Sequence, residues 1–207
     1  MIKSFIVLDD VYDRPDQMRA EAARMMFPAT GGGANYAGRN SSDKFLLPDT
    51  DKMISWALGE NVTGATDRAH GAFRLTLAGD AGRYNVHVDT GVDWSGVLFL
   101  TLPEHCRGGT SFMRHRRFGT DRAPLTRAEL AIYGAESPDA VLDLVLGQDS
   151  NDPEKWEMIM TVPMRYNRLV LFRPLTWHMA GEGFGDRFEN GRLVQLFFLR
   201  RVGPKPT

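Results

Sequence analysis

The chain has 207 residues, 43% of them hydrophobic and 25% charged, with a formal net charge of −1. It is long enough for one domain with a large core and short for two, and its near-neutrality excludes a global field that would recruit nucleic acid or an anionic membrane. The single cysteine, Cys106, excludes an internal disulfide framework and suits a reducing compartment.

In chain order, "SFIVLDDVY" (4–12) reads as a short apolar strand. Asp9 and Asp10 interrupt any apolar leader, and no run approaches the roughly 18 apolar residues of a membrane span. A soluble, cytoplasmic protein is expected. "RPDQMRAEAARMMF" (14–27) reads as a helix: Pro15 and Asp16 suit its first turn, and Met18, Ala22, Met25 and Met26 fall at helical spacing. "PATGGGANYAGRNSS" (28–42) is Gly-rich and polar, so a loop is expected, and 49–62 suggests a second short helix. From residue 70 the pattern changes. Segments 72–78, 83–89, 96–102, 110–118, 157–166, 167–174 and 191–201 are short, rich in β-branched and aromatic residues, and bounded by Gly, Pro, Asn or Asp. Between them, 124–147 is helical in composition, with a start signal at Ser137, Pro138 and Asp139 and a stop at Gly147. We read 119–156 as an insertion in one 1–207 domain, mainly β, with the N-terminal helices packed on a sandwich or barrel.

The segment "YNVHVDT" (84–90) raises the chemical question. In a strand, residues i and i+2 share a face, so His87 and Asp89 can meet one ion while Val86 and Val88 face away. The best third ligand is His178 in "FRPLTWHMAG", at the end of an apolar strand. Two His and one carboxylate occupy one face of an octahedron and leave open positions, which points to non-haem Fe(II) chemistry with O2. On the bland reading, H-x-D is an ordinary strand with two polar residues, and His70, His105 and His115 have no such context.

The order of segments strengthens the metal reading. A strand with H-x-D is followed by "RGGTSF" (107–112), by "NRLVLF" and then His178, and by Arg192 after Gly191. In this the chain resembles the Fe(II)- and 2-oxoglutarate-dependent dioxygenase superfamily, most closely its prolyl-4-hydroxylase-like branch; "FIVLDDVYDRPDQMRAEA" also looks like that family's first strand and helix. The resemblance covers most of the chain outside 119–156. It implies a double-stranded β-helix core of jelly-roll or cupin type. It also implies metal ligands His87, Asp89 and His178, with Fe(II), 2-oxoglutarate and O2 as cofactor and cosubstrates. The expected reaction hydroxylates a C–H bond and releases succinate and CO2. Retention of Asp89 argues against a halogenase.

An arginine makes a planar two-pronged contact with a carboxylate, and a buried one without a partner is costly. Arg192, on an apolar strand, is therefore expected to take the distal carboxylate of 2-oxoglutarate. Arg187 is the alternative nearer His178, in a loop. The resemblance places Tyr84 on the pocket wall near the metal. It also leads one to expect a tyrosine on the preceding strand, where this chain has Leu75 and Leu77, with Thr76 or Thr101 as substitutes. Tyr36 and Arg39, in a loop, and Trp94 and Trp177, flanking the ligand segments, are expected substrate contacts. Arg114, Arg116 and Arg117 read as a charged strand edge. The substrate is expected to be a small molecule or peptide. A base-repair dioxygenase would carry a second basic residue where this chain has Phe198. The rival from another class is a metal-binding barrel that senses or binds without turnover.

Overall fold

Residues 3–29 and 35–203 are described by the computed structural model. Its largest element is a seven-stranded antiparallel sheet. Its path runs β1 (Phe5–Leu8), β8 (Leu169–Phe172), β5 (Trp94–Phe99), β10 (Arg192–Arg201), β4 (Ala72–Thr76) and β2 (Arg39–Lys44). A short β3 (Val62–Gly64) extends β10 at its far end. A second antiparallel sheet is formed by β7 (Trp156–Pro163), β6 (Gly109–His115) and β9 (His178–Met179). The chain passes back and forth between the two sheets, so consecutive strands are seldom partners.

Period-2 alternation sorts the large sheet into two faces. On β10, Arg192, Val194, Leu196 and Phe198 face the small sheet, opposite Thr76 and Arg74 of β4 on one side and Phe99, Val97 and Ser95 of β5 on the other. Leu193, Phe197 and Leu199 face away and pack with Met18 and Ala22 of α1 (Pro15–Ala23) and Ile54 and Leu58 of α2 (Thr50–Leu58). Between the sheets lie Phe112, Val162, Val170 and Phe172. The outer face of the small sheet is covered at Met113, Met179 and Trp156 by the segment between β6 and β7, which carries α3 (Leu130–Tyr133) and α4 (Pro138–Asp149), while Met158, Ile159 and Met160 of β7 stay exposed. There Val141 and Val145 meet Val86, Val88, Trp156 and Trp177. Ser137 caps α4 by accepting from Ala140 N, with Pro138 and Asp139 in the first turn. The layers are therefore helices, large sheet, small sheet, helices, the last of them from the 119–156 segment.

Several expectations shift. The first helix ends at Ala23, so Met26 is 73% exposed beyond it. Residues 39–42, expected as loop, belong to edge strand β2, because Arg39 and Asn40 find backbone partners on β4. Residues 83–89 make no full strand: a single bridge joins His87 to His178. The paired Gly of "RGGTSF" is explained at Gly109, where an added Cβ would run into Val162 O. Among the described residues, no helix is long and apolar enough to cross a membrane.

Candidate metal centre

His87, Asp89 and His178 converge: one ligand atom of each lies within 4.8 Å of the others. The bridge that joins His87 to His178 is a mutual pair of backbone hydrogen bonds, at 2.9 and 3.0 Å. It sets the two imidazoles side by side, 4.3 Å between ring centres. Asp89 is fixed by its own N–H, which donates to Pro174 O at 2.8 Å. Val86 and Val88 point the other way, into the core beneath the insertion.

The hydrogen bonds settle what each group presents. His87 Nδ1 lies 3.0 Å from Asn85 O, and His178 Nδ1 lies 2.8 Å from Thr176 O. A carbonyl only accepts, so both Nδ1 atoms carry the proton and both Nε2 atoms offer a lone pair to the centre. That is the support imidazole ligands ordinarily have in metal sites. Burial, then the neighbouring imidazole, pulls His87 down to about 3, so it stays neutral. Burial alone would raise the Asp89 carboxyl, but the side chains of His178, His87 and Ser95 outweigh it and hold it well below the usual carboxylate range. Ser95 Oγ donates to Asp89 Oδ2 at 2.6 Å, and His178 Nε2 lies 3.5 Å from the same oxygen. Two imidazoles and one carboxylate, nearly enclosed, fit a divalent transition metal.

The cluster opens on a cavity of about 250 Å³ between the sheets. Arg192 lines it and is 2% exposed. Its Nε and Nη2 are enclosed with no hydrogen-bond partner among the described residues, and its guanidinium lies 5.9 Å from the Phe99 ring. Burial, then the nearby Arg74, pulls it down to about 10, still cationic at neutral pH. A buried cation without a counter-charge is costly; a carboxylate reaching Arg192 removes that cost.

The other expected site residues divide. Tyr36 lines the cavity, with its ring 4.2 Å from that of His87. Burial, then the charge of Asp89, raises its hydroxyl to about 12. Tyr84 is also on the wall. Arg39 is not: it pairs in register with Leu75 and so shares that residue's face, away from the cavity. Trp94 and Trp177 are fully buried elsewhere. Trp94 packs with the N-terminal helices, donates to Glu60 and lies under the Arg173 guanidinium at 3.9 Å. Trp177 packs on Trp156 beneath the insertion. Each is adjacent in sequence to an inward-facing residue, Ser95 or His178, so alternation turns it outward. Thr101 is spent on the backbone of Leu193, whose N–H donates to its Oγ1 at 2.9 Å.

Across residues 2–199 the chain matches the profile of a family of unknown function, DUF6445. The chain belongs to that family. No curated protein matches it in sequence. In three dimensions this DUF6445 chain is similar to SnoN, a non-haem α-ketoglutarate-dependent epimerase from nogalamycin biosynthesis. The TM-score is 0.52 at 13% identity, over 96% of this chain and 78% of that one. SnoK, a carbocyclase of the same biosynthesis, gives 0.53 at 13% identity over 96% and 80%. HygX from Streptomyces hygroscopicus, solved with nickel, 2-oxoglutarate and hygromycin B, gives 0.52 at 12% identity over 97% and 84%. At these identities the likeness establishes the fold, an antiparallel β architecture shared with α-ketoglutarate-dependent enzymes.

Two cavity-lining residues of the DUF6445 chain escape a motif-led reading. Ser95 orients Asp89 from the large sheet. Arg74, on β4, enters the cavity opposite Val194. Each had the same signal: a polar residue inside an otherwise apolar strand.

Proposed function

We propose that this protein is a non-haem Fe(II)- and 2-oxoglutarate-dependent oxygenase that hydroxylates a C–H bond of a small-molecule or peptide substrate. The observation that carries the reading is the pairing of two features in one cavity. One is a His–Asp–His cluster with both Nε2 lone pairs turned inward; the other is the unpartnered, buried Arg192. A metal alone explains the first, and only an added anion explains the second.

His87, Asp89 and His178 would hold the metal by one face. Ser95 keeps Asp89 in place, and the carbonyls of Asn85 and Thr176 keep the imidazoles in the ligating tautomer. Arg192 takes the distal carboxylate of 2-oxoglutarate. Phe172, Val97 and Leu196 give the cavity an apolar wall that excludes water. With Fe(II) and 2-oxoglutarate bound, the site supplies oxidation by O2, with succinate and CO2 as coproducts. The two-sheet path supports a double-stranded β-helix, with β4, the 83–89 segment, β5, β6, β7, β8, β9 and β10 as its eight strands. The order of the sequence segments supports kinship with the prolyl-4-hydroxylase-like branch, and the lone cysteine supports a cytoplasmic setting.

The test is anaerobic. Fe(II) and then 2-oxoglutarate are added, and the weak visible charge-transfer absorption of the chelate is followed. The absorption is expected in the wild type and absent in His178→Ala. Metal binding with no such absorption at any 2-oxoglutarate concentration would replace this reading with a non-catalytic metal-binding barrel.

A further inference from the structure

Arg74 is a second guanidinium in the same cavity, and the reading above leaves it without work. It stands on β4 one pair of residues along from Arg192 and is turned to the same side, because Arg74 faces Val194 in register while Arg192 faces Thr76. Its Nε is committed: it donates to Asn40 Oδ1 at 2.8 Å, and Asn40 is its cross-strand partner on β2. The guanidinium carbon lies 5.6 Å from the centre of the Tyr36 ring, and that ring lies 4.2 Å from His87. Arg74 is thus held by its Nε edge and braced on an aromatic face. Among the described residues its two Nη groups have no hydrogen-bond partner, and Tyr36 sets them beside His87 in the cavity.

The charges in the cavity point the same way. Among the described residues Arg68, Arg74 and Arg192 line it, with Asp89 the one carboxylate. The acid whose charge acts on Arg74 is that same Asp89, already committed to the imidazoles. Arg68 is exposed at the rim; with the two inner guanidiniums and a divalent ion set against one aspartate and a bound dicarboxylate, one positive charge is left over. Uncompensated charge in an enclosed site is expensive, and an end-on pair of Nη donors matches the two oxygens of a carboxylate.

We propose that Arg74 is a substrate-binding residue: the molecule oxidised here carries a carboxylate, which the Nη edge of Arg74 grips beside Tyr36 while 2-oxoglutarate occupies Arg192. This rests on the oxygenase reading and narrows its substrate class to carboxylic acids. Arg74 acts as a specificity device. An uncharged analogue leaves its guanidinium unpaired and is rejected.

The test uses benzoate as the probe and benzamide as its uncharged isostere, on the full chain loaded with redox-inert Ni(II), with and without saturating 2-oxoglutarate. Binding is read as a rise in thermal midpoint. The variants are Arg74→Gln and Asn40→Asp; the second leaves the arginine in place and gives it an internal carboxylate. Benzoate is expected to stabilise the wild type with 2-oxoglutarate present, and benzamide to have no effect. Both variants should need about tenfold more benzoate, with the 2-oxoglutarate requirement within about twofold of wild type. No benzoate response in the wild type, or an equal response in the variants, overturns the proposal. A 2-oxoglutarate requirement raised about tenfold in Arg74→Gln also overturns it, by making Arg74 a second cosubstrate residue. Failure of the wild type to respond to 2-oxoglutarate strikes the oxygenase reading instead, while the benzoate arm without 2-oxoglutarate still decides whether Arg74 takes a carboxylate.

Discussion

Replacing Arg192 with methionine should separate stability from cosubstrate binding in opposite directions. Arg192 is 2% exposed, and its Nε and Nη2 have no partner among the described residues. Burial, then the charge of Arg74, pulls the guanidinium down to about 10 from an ordinary 12.5. Converted to free energy, that costs the ligand-free protein about 3 kcal/mol at neutral pH. Methionine keeps an unbranched chain against Phe99 and removes the charge, so the ligand-free variant should be as stable as wild type or more so, by up to about 3 kcal/mol. The same change strands the distal carboxylate of 2-oxoglutarate. Loss of a charge-assisted two-pronged contact, worth about 3–4 kcal/mol, should raise the half-saturating 2-oxoglutarate concentration by roughly 10²–10³-fold. Urea unfolding of the ligand-free protein and anaerobic titration of the Fe(II) form measure the two halves. A variant that loses more than about 1 kcal/mol of stability yet keeps its 2-oxoglutarate dependence would refute the reasoning, since Arg192 would then be a structural residue.

Three further outcomes are expected. Ser95→Ala removes the hydroxyl that donates to Asp89 at 2.6 Å; metal affinity, read by chelator competition, should fall about tenfold or more, and an unchanged affinity would make that bond incidental. Trp177→Ala should cost about 3–5 kcal/mol in chemical denaturation, because Trp177 is wholly buried against Trp156; the surviving protein should keep its 2-oxoglutarate requirement, and a shifted requirement would return Trp177 to the cavity wall. For Glu60, burial opposes ionisation, but Arg201, Arg173 and the Trp94 indole outweigh it and lower the carboxyl to about 2 from an ordinary 4.5. A lowered carboxyl stabilises the fold above its unfolded value and loses that contribution as pH falls through its folded value. Glu60→Gln should therefore cost about 1–2 kcal/mol at neutral pH, discounted for partial solvent access, and the gap from wild type should close between pH 4.5 and about 2. A gap that stays constant over this range would show that the ion pairs are not its source.

What the sequence made legible depended on alternation. His87 and Asp89 were readable as neighbours because two residues apart on an extended chain means one face, and the same rule places Val86 and Val88 behind them. Arg192 was readable because a guanidinium in an apolar strand needs an explanation. Trp94 and Trp177 misled because nearness to a ligand in sequence is not nearness in space: one position along a strand reverses the face. Arg39 failed for the same reason, and its neighbour Asn40 is the one that braces Arg74. Residues 83–89 carry a strand's composition yet have one bridge, because the partner β9 is two residues long. No local pattern shows a partner's length. Arg74 had its signal, but nothing in one strand says which cavity an odd charge will enter.

The segment that carries His87 and Asp89 is held from both edges by different parts of the chain. On one edge is the His178 bridge; on the other, Ser150 Oγ donates to Val86 O and accepts from Asn85 N, Val86 N donates to Ser150 O, and Asn151 Nδ2 donates to Arg83 O. Two of the three ligands therefore depend for their backbone on the end of the 119–156 insertion. In native-state hydrogen exchange the amides of Asn85 and Val86 should follow the opening of α4 rather than of the large sheet. Fraying of the end of the insertion would loosen the backbone beside His87 and Asp89, the proposed metal ligands. On the proposed metal site the insertion would thus be a lever on metal retention, and relatives that differ in its length should differ in metal affinity.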